Sequence, residues 1–351
     1  MHVALLCPYS LDAPGGVATH VLGLATWLVS RGDEVTVVAP GTQHPSVLDG
    51  VDLHLVGRSI DLPFNGSVAQ LAVRRTQCAE SLRAVRGADV VHVHEPLTPG
   101  IAFAVARKAH NLVVTHHASF AASAMVSALL RRRAAALPPR ASIAVSRAAQ
   151  QSARAATGTM PEIVGNGVLL PEPPPARTGW RGGERPRIGF LGRLNEPRKG
   201  FALFREVAEL ARSAGLDIEF VALGPGTQRP GSVRLIGPVN DADRNLALQQ
   251  MDILLAPNLF GESFGLILVE ALAAGCSVVA SDLPGFVDVL AESGTGRTFP
   301  RGDARLALAA IQATLGASED PLALHRSAHH WSWDALGPRV REHYMVAMER
   351  R

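Results

Sequence analysis

One pattern constrains the fold more than any other. Short β-branched runs alternate with helix-periodic segments, the alternation stops at a proline- and glycine-rich stretch, and then it begins again. HVALLC, GVATHVLGLATWLVSRG and EVTVVAP, from residue 2 to residue 40, read as a strand, a glycine turn with its helix, and a strand. ADVVHVHEP, LVVTHH and ASIAVS are further strands, with GIAFAVARKA and ASFAASAMVSALLRRRAAAL as helices between them. PEPPPARTGWRGGERP, residues 171–186, carries no periodicity and reads as a linker. Beyond it PRIGFLGRL, DIEFVALGP, SVRLIG, DILLAPN and CSVVAS read as strands separated by helical segments. Near-continuous apolar strands joined by helices require parallel sheets covered on both faces. The expected fold is therefore α/β, with two doubly wound Rossmann-like domains facing a cleft, and ligands belong at the carboxyl ends of the strands. The expected boundaries are 1–170 and 185–333, with a C-terminal helix, 334–351, packing back onto the first domain and anchored by Trp331 and Trp333.

With 351 residues, 47% of them hydrophobic and 19% charged, the chain has ample material for two cores. The formal charge is only +3, and 32 of the 34 basic residues are arginine once Lys108 and Lys199 are set aside. No basic tail or aromatic-interleaved groove accompanies them, so nucleic acid is not an expected partner. Arg74-Arg75 and Arg131-Arg132-Arg133 are local basic spots, either solvated helix ends or contacts for an anionic surface. Cys7, Cys78 and Cys276 fit neither a disulfide framework nor a zinc spacing. The opening MHVALLCPY reads as a strand rather than a leader, and no stretch is long and apolar enough to cross a bilayer. A monomer in the cytoplasm, with any membrane contact peripheral, is the expectation.

Several loops carry chemistry. Gly15-Gly16 precedes a helix: either a plain tight turn, or a place where free backbone N–H groups meet an anion. GRLNEPRKG, residues 192–200, lies between a strand and a helix and sets Arg193 and Lys199 at the sheet edge, an arrangement suited to a diphosphate. GESFGLILVEALAAG, residues 261–275, places Glu262 in the turn before a helix that begins near Phe264 or Gly265. There its carboxylate can bind sugar hydroxyls while nearby N–H groups meet a phosphate. Glu270 interrupts the apolar face of that helix, which costs stability unless it is paired, reaches a ligand such as a ribose diol, or snorkels to solvent. His116 and His117 end a strand, where a histidine is either structural or positioned to meet a developing charge. His92, His94 and Glu95 invite a metal reading, but no third ligand at a useful spacing is evident and no metal is expected. Ser263 lacks the G-x-S-x-G setting of a hydrolase nucleophile.

GGV at 15–17, HEP at 94–96, THH at 115–117, GRLNEPRKG and GESFGLILVEALAAG together resemble the family 4 retaining glycosyltransferases of the GT-B fold, over almost the whole chain. CPYSLDAPGGVATHVLGLA and DLPFNGSVAQL resemble, within that family, the actinobacterial members that move mannose from GDP-mannose to the inositol 2-hydroxyl of phosphatidylinositol at the inner face of the cell membrane. The resemblance implies catalytic roles for His117, Arg193, Lys199 and Glu262. It implies donor contacts from Gly16, Arg193, Lys199, Glu262, Phe264, Gly265 and Glu270, and an acceptor pocket shaped by Tyr9, Gly16, Asn65 and Ser67. It further implies a nucleotide-sugar donor, no tightly bound cofactor, and an anionic phospholipid partner. The expected lipid contact is FAASAMVSALLRRR, with Phe120, Ala124 and Leu129 or Leu130 near one face and Arg131, Arg132 and Arg133 at its end. The chain departs from those members in Asn195, in THHAS and in Asn258-Leu259-Phe260, which bear on which sugar or acceptor fits. A related transferase using another nucleotide sugar, or a soluble or other lipid acceptor, is the alternative.

Overall fold

The computed structural model describes residues 1–13, 15–43, 49–64, 67–119, 123–175, 183 and 185–349. The valine-, isoleucine- and leucine-rich runs form strands buried on both faces, as a parallel sheet between helices demands. They fall into two units, Met1–Leu169 with Trp331–Arg351, and Leu170–His330.

In the first unit the strands are β1 (His2–Leu6), β2 (Glu34–Ala39), β3 (Val51–Leu55), β4 (Ile60–Phe64), β5 (Ser67–Leu71), β6 (Val90–His94), β7 (Leu112–His116), β8 (Arg140–Ala144) and β9 (Glu162–Ile163). Seven of them make one sheet in the order β3-β2-β1-β6-β7-β8-β9, parallel throughout. β4 and β5 form a separate antiparallel hairpin. The order reverses beside β1, so the carboxyl ends of β1 and β6 flank the switch point where α/β sheets leave room for ligands. Ala4, Leu6, Val91, Val93 and Val114 pack there against Ile101, Ala102 and Val105 of the helix Ile101–Ala106.

The C-terminal helix, Trp333–Glu349, belongs to this unit. Val168 and Trp331 start the junction with a backbone hydrogen bond of 2.8 Å. The docking is interlocked: a Cβ on Gly23 or on Gly167 would run into the Trp333 indole, and one on Gly337 would meet Trp27 at 2.5 Å. Trp27 Nε1 donates to Asp334 at 3.0 Å.

The second unit holds β10 (Arg187–Leu191), β11 (Glu219–Leu223), β12 (Arg234–Gly237), β13 (Ile253–Ala256), β14 (Ser277–Ser281) and β15 (Arg297–Phe299). Their order is β12-β11-β10-β13-β14-β15, again parallel, and it reverses beside β10. Phe190, Phe201, Phe204, Phe220 and Phe299 lie in its core, with ring centroids 5.4–5.6 Å apart for Phe190–Phe204 and Phe204–Phe220.

One local reading changes. The expected long helix over residues 118–137 is Ala124–Ala135, opened by Ser123, whose hydroxyl accepts from the Val126 N–H. A serine cap satisfies an otherwise orphaned donor and sets the start. Phe120 lies outside the described residues. The exposed apolar side chains on this helix are Met125, Val126 and Leu129, while Leu130 packs against the core. Of the row expected from Phe120, Ala124 and Leu129 or Leu130, Ala124 and Leu129 are exposed, and Met125 and Val126 join them.

Candidate functional site

Unit by unit, the chemistry-bearing residues stand at strand carboxyl ends, because the loops that follow parallel strands must emerge there. In the second unit β10 runs into Gly192 and Arg193, a short turn follows over Pro197–Lys199, and the helix Phe201–Ser213 begins after Gly200. Gly200 has φ +76°, and a Cβ on it would collide with the Pro257 carbonyl oxygen. Only glycine lets the loop after β10 lie against the loop after β13.

That close approach brings Lys199 and Glu262 together. Lys199 Nζ donates to Glu262 Oε2 at 2.9 Å, and Asn258 Nδ2 donates to the same oxygen at 2.7 Å. Arg198 Nη1 lies 3.4 Å from it and Arg198 Nη2 lies 3.3 Å from Glu196 Oε2. Arg193 reaches Glu196 at 3.9 Å. Burial alone would raise the proton affinity of Glu262, but the Lys199 and Arg198 charges and the hydrogen bonds from Lys199 and Asn258 outweigh it and hold the carboxyl below its usual range. Three cations (Arg193, Arg198, Lys199) against two carboxylates (Glu196, Glu262) leave one positive charge over. Arg198 and Glu196 were not singled out from the sequence, and Asn258 only as a departure from the family pattern; the contact between two loops about sixty residues apart reveals their roles.

Glu262 and Ser263 precede the helix Leu266–Ala273, which is opened by Gly265 at φ +106°. A Cβ on Gly265 would meet Phe286 at 2.7 Å. Phe264 is buried. Glu270, on that helix, pairs with Arg244 at 3.1 Å, so its place in an apolar segment is compensated by a cation from the helix Asp241–Gln249.

In the first unit Gly16 is the first residue of the helix Gly16–Ser30, whose Gly15 cap contributes no side chain. His20 lies one turn on. It meets His94 of β6 and His117, which follows β7; ring nitrogens of the three lie within 4.8 Å of one another and all three are buried. His94 Nδ1 and His117 Nε2 share a hydrogen bond of 2.9 Å. His92 stacks on His94 at 4.3 Å and bonds Tyr344 Oη and Thr115 Oγ1 at 2.9 and 2.7 Å. Desolvation, and secondarily the neighbouring imidazoles, push these rings down, His20 and His92 to about 3, so the cluster is neutral at ordinary pH. A third imidazole near His94 was not legible in the sequence, since His20 and His117 are far apart in the chain. The ligand atoms that sit together here could hold a metal ion, yet His94 and His117 already satisfy one another directly.

Tyr9 follows β1, and its backbone bridges to Leu71 of β5. Burial, then the nearby Glu95 charge, raise its phenol. Asn65 lies outside the described residues; Ser67 opens β5, and its side chain is not described. On the helix Ala124–Ala135, Arg131 and Arg132 are exposed. Arg133 turns inward, donating to the Leu97 carbonyl at 2.8 Å and lying 5.2 Å over the Phe103 ring. It is spent on holding the helix, which leaves two arginines of the expected three for any surface contact.

Residues 14–170 match the family described as Glycosyltransferase Family 4, and residues 185–316 the one described as Glycosyl transferases group 1. A phosphatidyl-myo-inositol mannosyltransferase of Propionibacterium freudenreichii subsp. shermanii is 38% identical over 99% of this chain and 95% of its own length. A GDP-mannose-dependent alpha-mannosyltransferase of Mycolicibacterium smegmatis is 29% identical over 100% and 99%. A glycosyltransferase structure from Rickettsia africae superposes with a TM-score of 0.72 at 15% identity, covering 100% of this chain and 99% of that one. At that identity the likeness speaks to fold alone, and the fold is the two-domain GT-B arrangement of Rossmann-like units. Among the described residues no helix is long and apolar enough to cross a membrane.

Proposed function

The chain belongs to the phosphatidyl-myo-inositol mannosyltransferases of glycosyltransferase family 4, and from that premise we propose that it moves mannose from GDP-mannose to the inositol 2-hydroxyl of phosphatidylinositol, with retention at the anomeric carbon. The observation that carries the reading is the cationic cluster in the second unit, where Lys199 and Arg198 converge on Glu262 and, with Arg193 and Glu196 counted, one positive charge is left over. Departure of a nucleoside diphosphate builds negative charge on phosphate oxygens, and preorganised cations there lower the barrier without reorganising. Arg193 and Lys199 take that role. Glu262 accepts hydrogen bonds from the mannose hydroxyls, and Glu270 from the ribose diol, beside the helix start at Gly265.

In the first unit Tyr9, Asn65 and Ser67 belong to the acceptor pocket, Gly16 presents helix N-terminal N–H groups, and His117 meets the sugar. In the transfer the anomeric carbon–phosphate oxygen bond breaks and a bond to the inositol oxygen forms on the same face of the ring. The leaving phosphate oxygen takes the hydroxyl proton. Arg131 and Arg132, with Met125, Val126 and Leu129, supply peripheral contact with an anionic lipid surface on the cytoplasmic face.

Titration calorimetry with GDP-, UDP- and ADP-linked sugars, followed by transfer of labelled mannose into vesicles with and without phosphatidylinositol, tests the reading. Selective GDP-mannose binding and phosphatidylinositol-dependent transfer are expected. Preference for another nucleotide sugar, or transfer to a soluble acceptor without vesicles, overturns the named substrates.

A further inference from the structure

We propose that Glu95 is a positioning residue for transfer, its carboxylate fixing the backbone that carries His117; the proposal rests on the reading of His117 given above. Glu95 directly follows β6, and its own N–H continues the ladder by donating to the Thr115 carbonyl at 2.8 Å. Its φ is +50°, and it is one of three non-glycine residues with positive φ among those described. A non-glycine residue held there is strained, and here the turn re-aims the side chain across to β7. Glu95 Oε1 accepts the N–H of His117 and, at 2.7 Å, the N–H of Ala118. One carboxylate oxygen therefore holds both amides where the chain leaves β7.

Those two amides would otherwise continue as a strand edge or seek water. Captured by a charged acceptor, they hold the His117 Cα, and with it the imidazole that bonds His94. The same carboxylate lies near the Tyr9 phenol, which in turn bonds Thr98, and the Thr98 N–H donates to the Glu95 carbonyl at 3.0 Å. Glu95, which itself follows β6, thus links the segments that follow β1 and β7, the two from which the proposed site groups Tyr9 and His117 come. Desolvation, the larger effect, raises the proton affinity of Glu95, and the two backbone donors work against it; two converging N–H groups accept nothing and so favour the anion.

The test compares Glu95→Ala, Glu95→Gln, His117→Ala and the Glu95→Ala/His117→Ala double variant in the full chain. It reads kcat and KM for GDP-mannose and phosphatidylinositol vesicles, donor affinity by calorimetry, and amide exchange at residues 117 and 118. Glu95→Ala is expected to lower kcat by roughly 100-fold, the scale of an ångström-level misplacement, with donor affinity unchanged. Its two amides should exchange about tenfold faster or more. Glu95→Gln should recover most of kcat, because its amide oxygen accepts the same two N–H groups. The double variant should fall no lower than the worse single one. Multiplying losses, a glutamine variant as poor as the alanine one, or amides that keep their protection overturn the proposal. If His117→Ala transfers normally while the amides of Glu95→Ala lose protection and its kcat falls, the reading of His117 fails and the Glu95 anchor acts through another group of that loop. If Glu95→Ala also transfers normally, the positioning role itself is overturned.

Discussion

The two units differ in how they treat charge around their candidate residues. The second unit concentrates ions: Lys199, Arg198 and Arg193 face Glu262 and Glu196 within 4 Å. The first unit has gathered five histidines, His20, His92, His94, His116 and His117, and keeps every one of them neutral by burial. The contrast follows from what each half is proposed to meet. A departing diphosphate rewards fixed positive charge, whereas a protonated imidazole beside an oxocarbenium-like sugar would repel it. Neutral imidazoles can still donate or accept a hydrogen bond, so the first unit offers polarity without charge.

Removing a cation from the second unit should produce the largest effect. Lys199→Ala strips Glu262 of its nearest counter-charge and the diphosphate of a donor, and kcat/KM should fall by about 10²–10³-fold, the scale of losing one preorganised donor. If the loss were instead confined to KM, Lys199 would be a uniform binder and the charge contrast would lose its catalytic meaning.

Acid separates the halves next. These five buried histidines have folded-state proton affinities below their ordinary 6.5, His20 and His92 at about 3. The unfolded chain therefore binds more protons below about pH 6.5, and stability is lost as pH falls from there toward 3, on the order of 1 kcal/mol per pH unit for each such histidine. Glu262 is also depressed, but from an ordinary 4.5, so its stabilisation is complete above that value and is lost only below it. Between pH 6.5 and 5, the first unit should lose more stability to chemical denaturation than the second, where His330 is the histidine held below its ordinary value. Intrinsic fluorescence reports mainly on the first unit, because three of the four tryptophans, Trp27, Trp331 and Trp333, lie in it. A transition midpoint independent of pH over this window would mean the histidines are not buried neutral in solution.

The sequence made the parallel architecture legible because strands buried on both faces must be apolar along their length, as in HVALLC and EVTVVA. It hid β3, whose VDLHL alternates half-buried and exposed positions at the sheet edge, and the β4–β5 hairpin, whose IDLPF contains a proline. Proline at a strand is tolerated only where a ladder donor is not needed, and there it reads as loop. At the site, Glu262, Glu270, Arg193 and Lys199 stood out because charge interrupted an otherwise apolar or glycine-marked pattern. Arg198 and Arg244 did not, since their meaning lies in partners far along the chain. His20 was silent for the opposite reason: one imidazole on an apolar helix gives no sign of the two others it meets.

The contrast has a further root in chain connectivity. The cluster in the second unit is assembled from two loops of its own sheet, but the histidines of the first unit lean on the end of the chain. His20 meets the Trp333 ring edge-on at 4.8 Å, and His92 bonds Tyr344. Trp333 can lie there only because Gly23 and Gly167 have no side chain in its way. Gly23→Ala adds one methyl to a helix interior, where alanine is favoured by propensity, so any loss of stability reports the displaced indole. A cost of about 1–3 kcal/mol is expected from such overpacking, measured as a lower denaturant midpoint. Because the displaced ring touches His20, the neutral cluster should shift with it, lowering transfer while GDP-mannose affinity stays unchanged. Equal losses of donor affinity would show that the proposed donor site also depends on this packing, and the separation between a locally built charged half and a remotely buttressed neutral half would not stand.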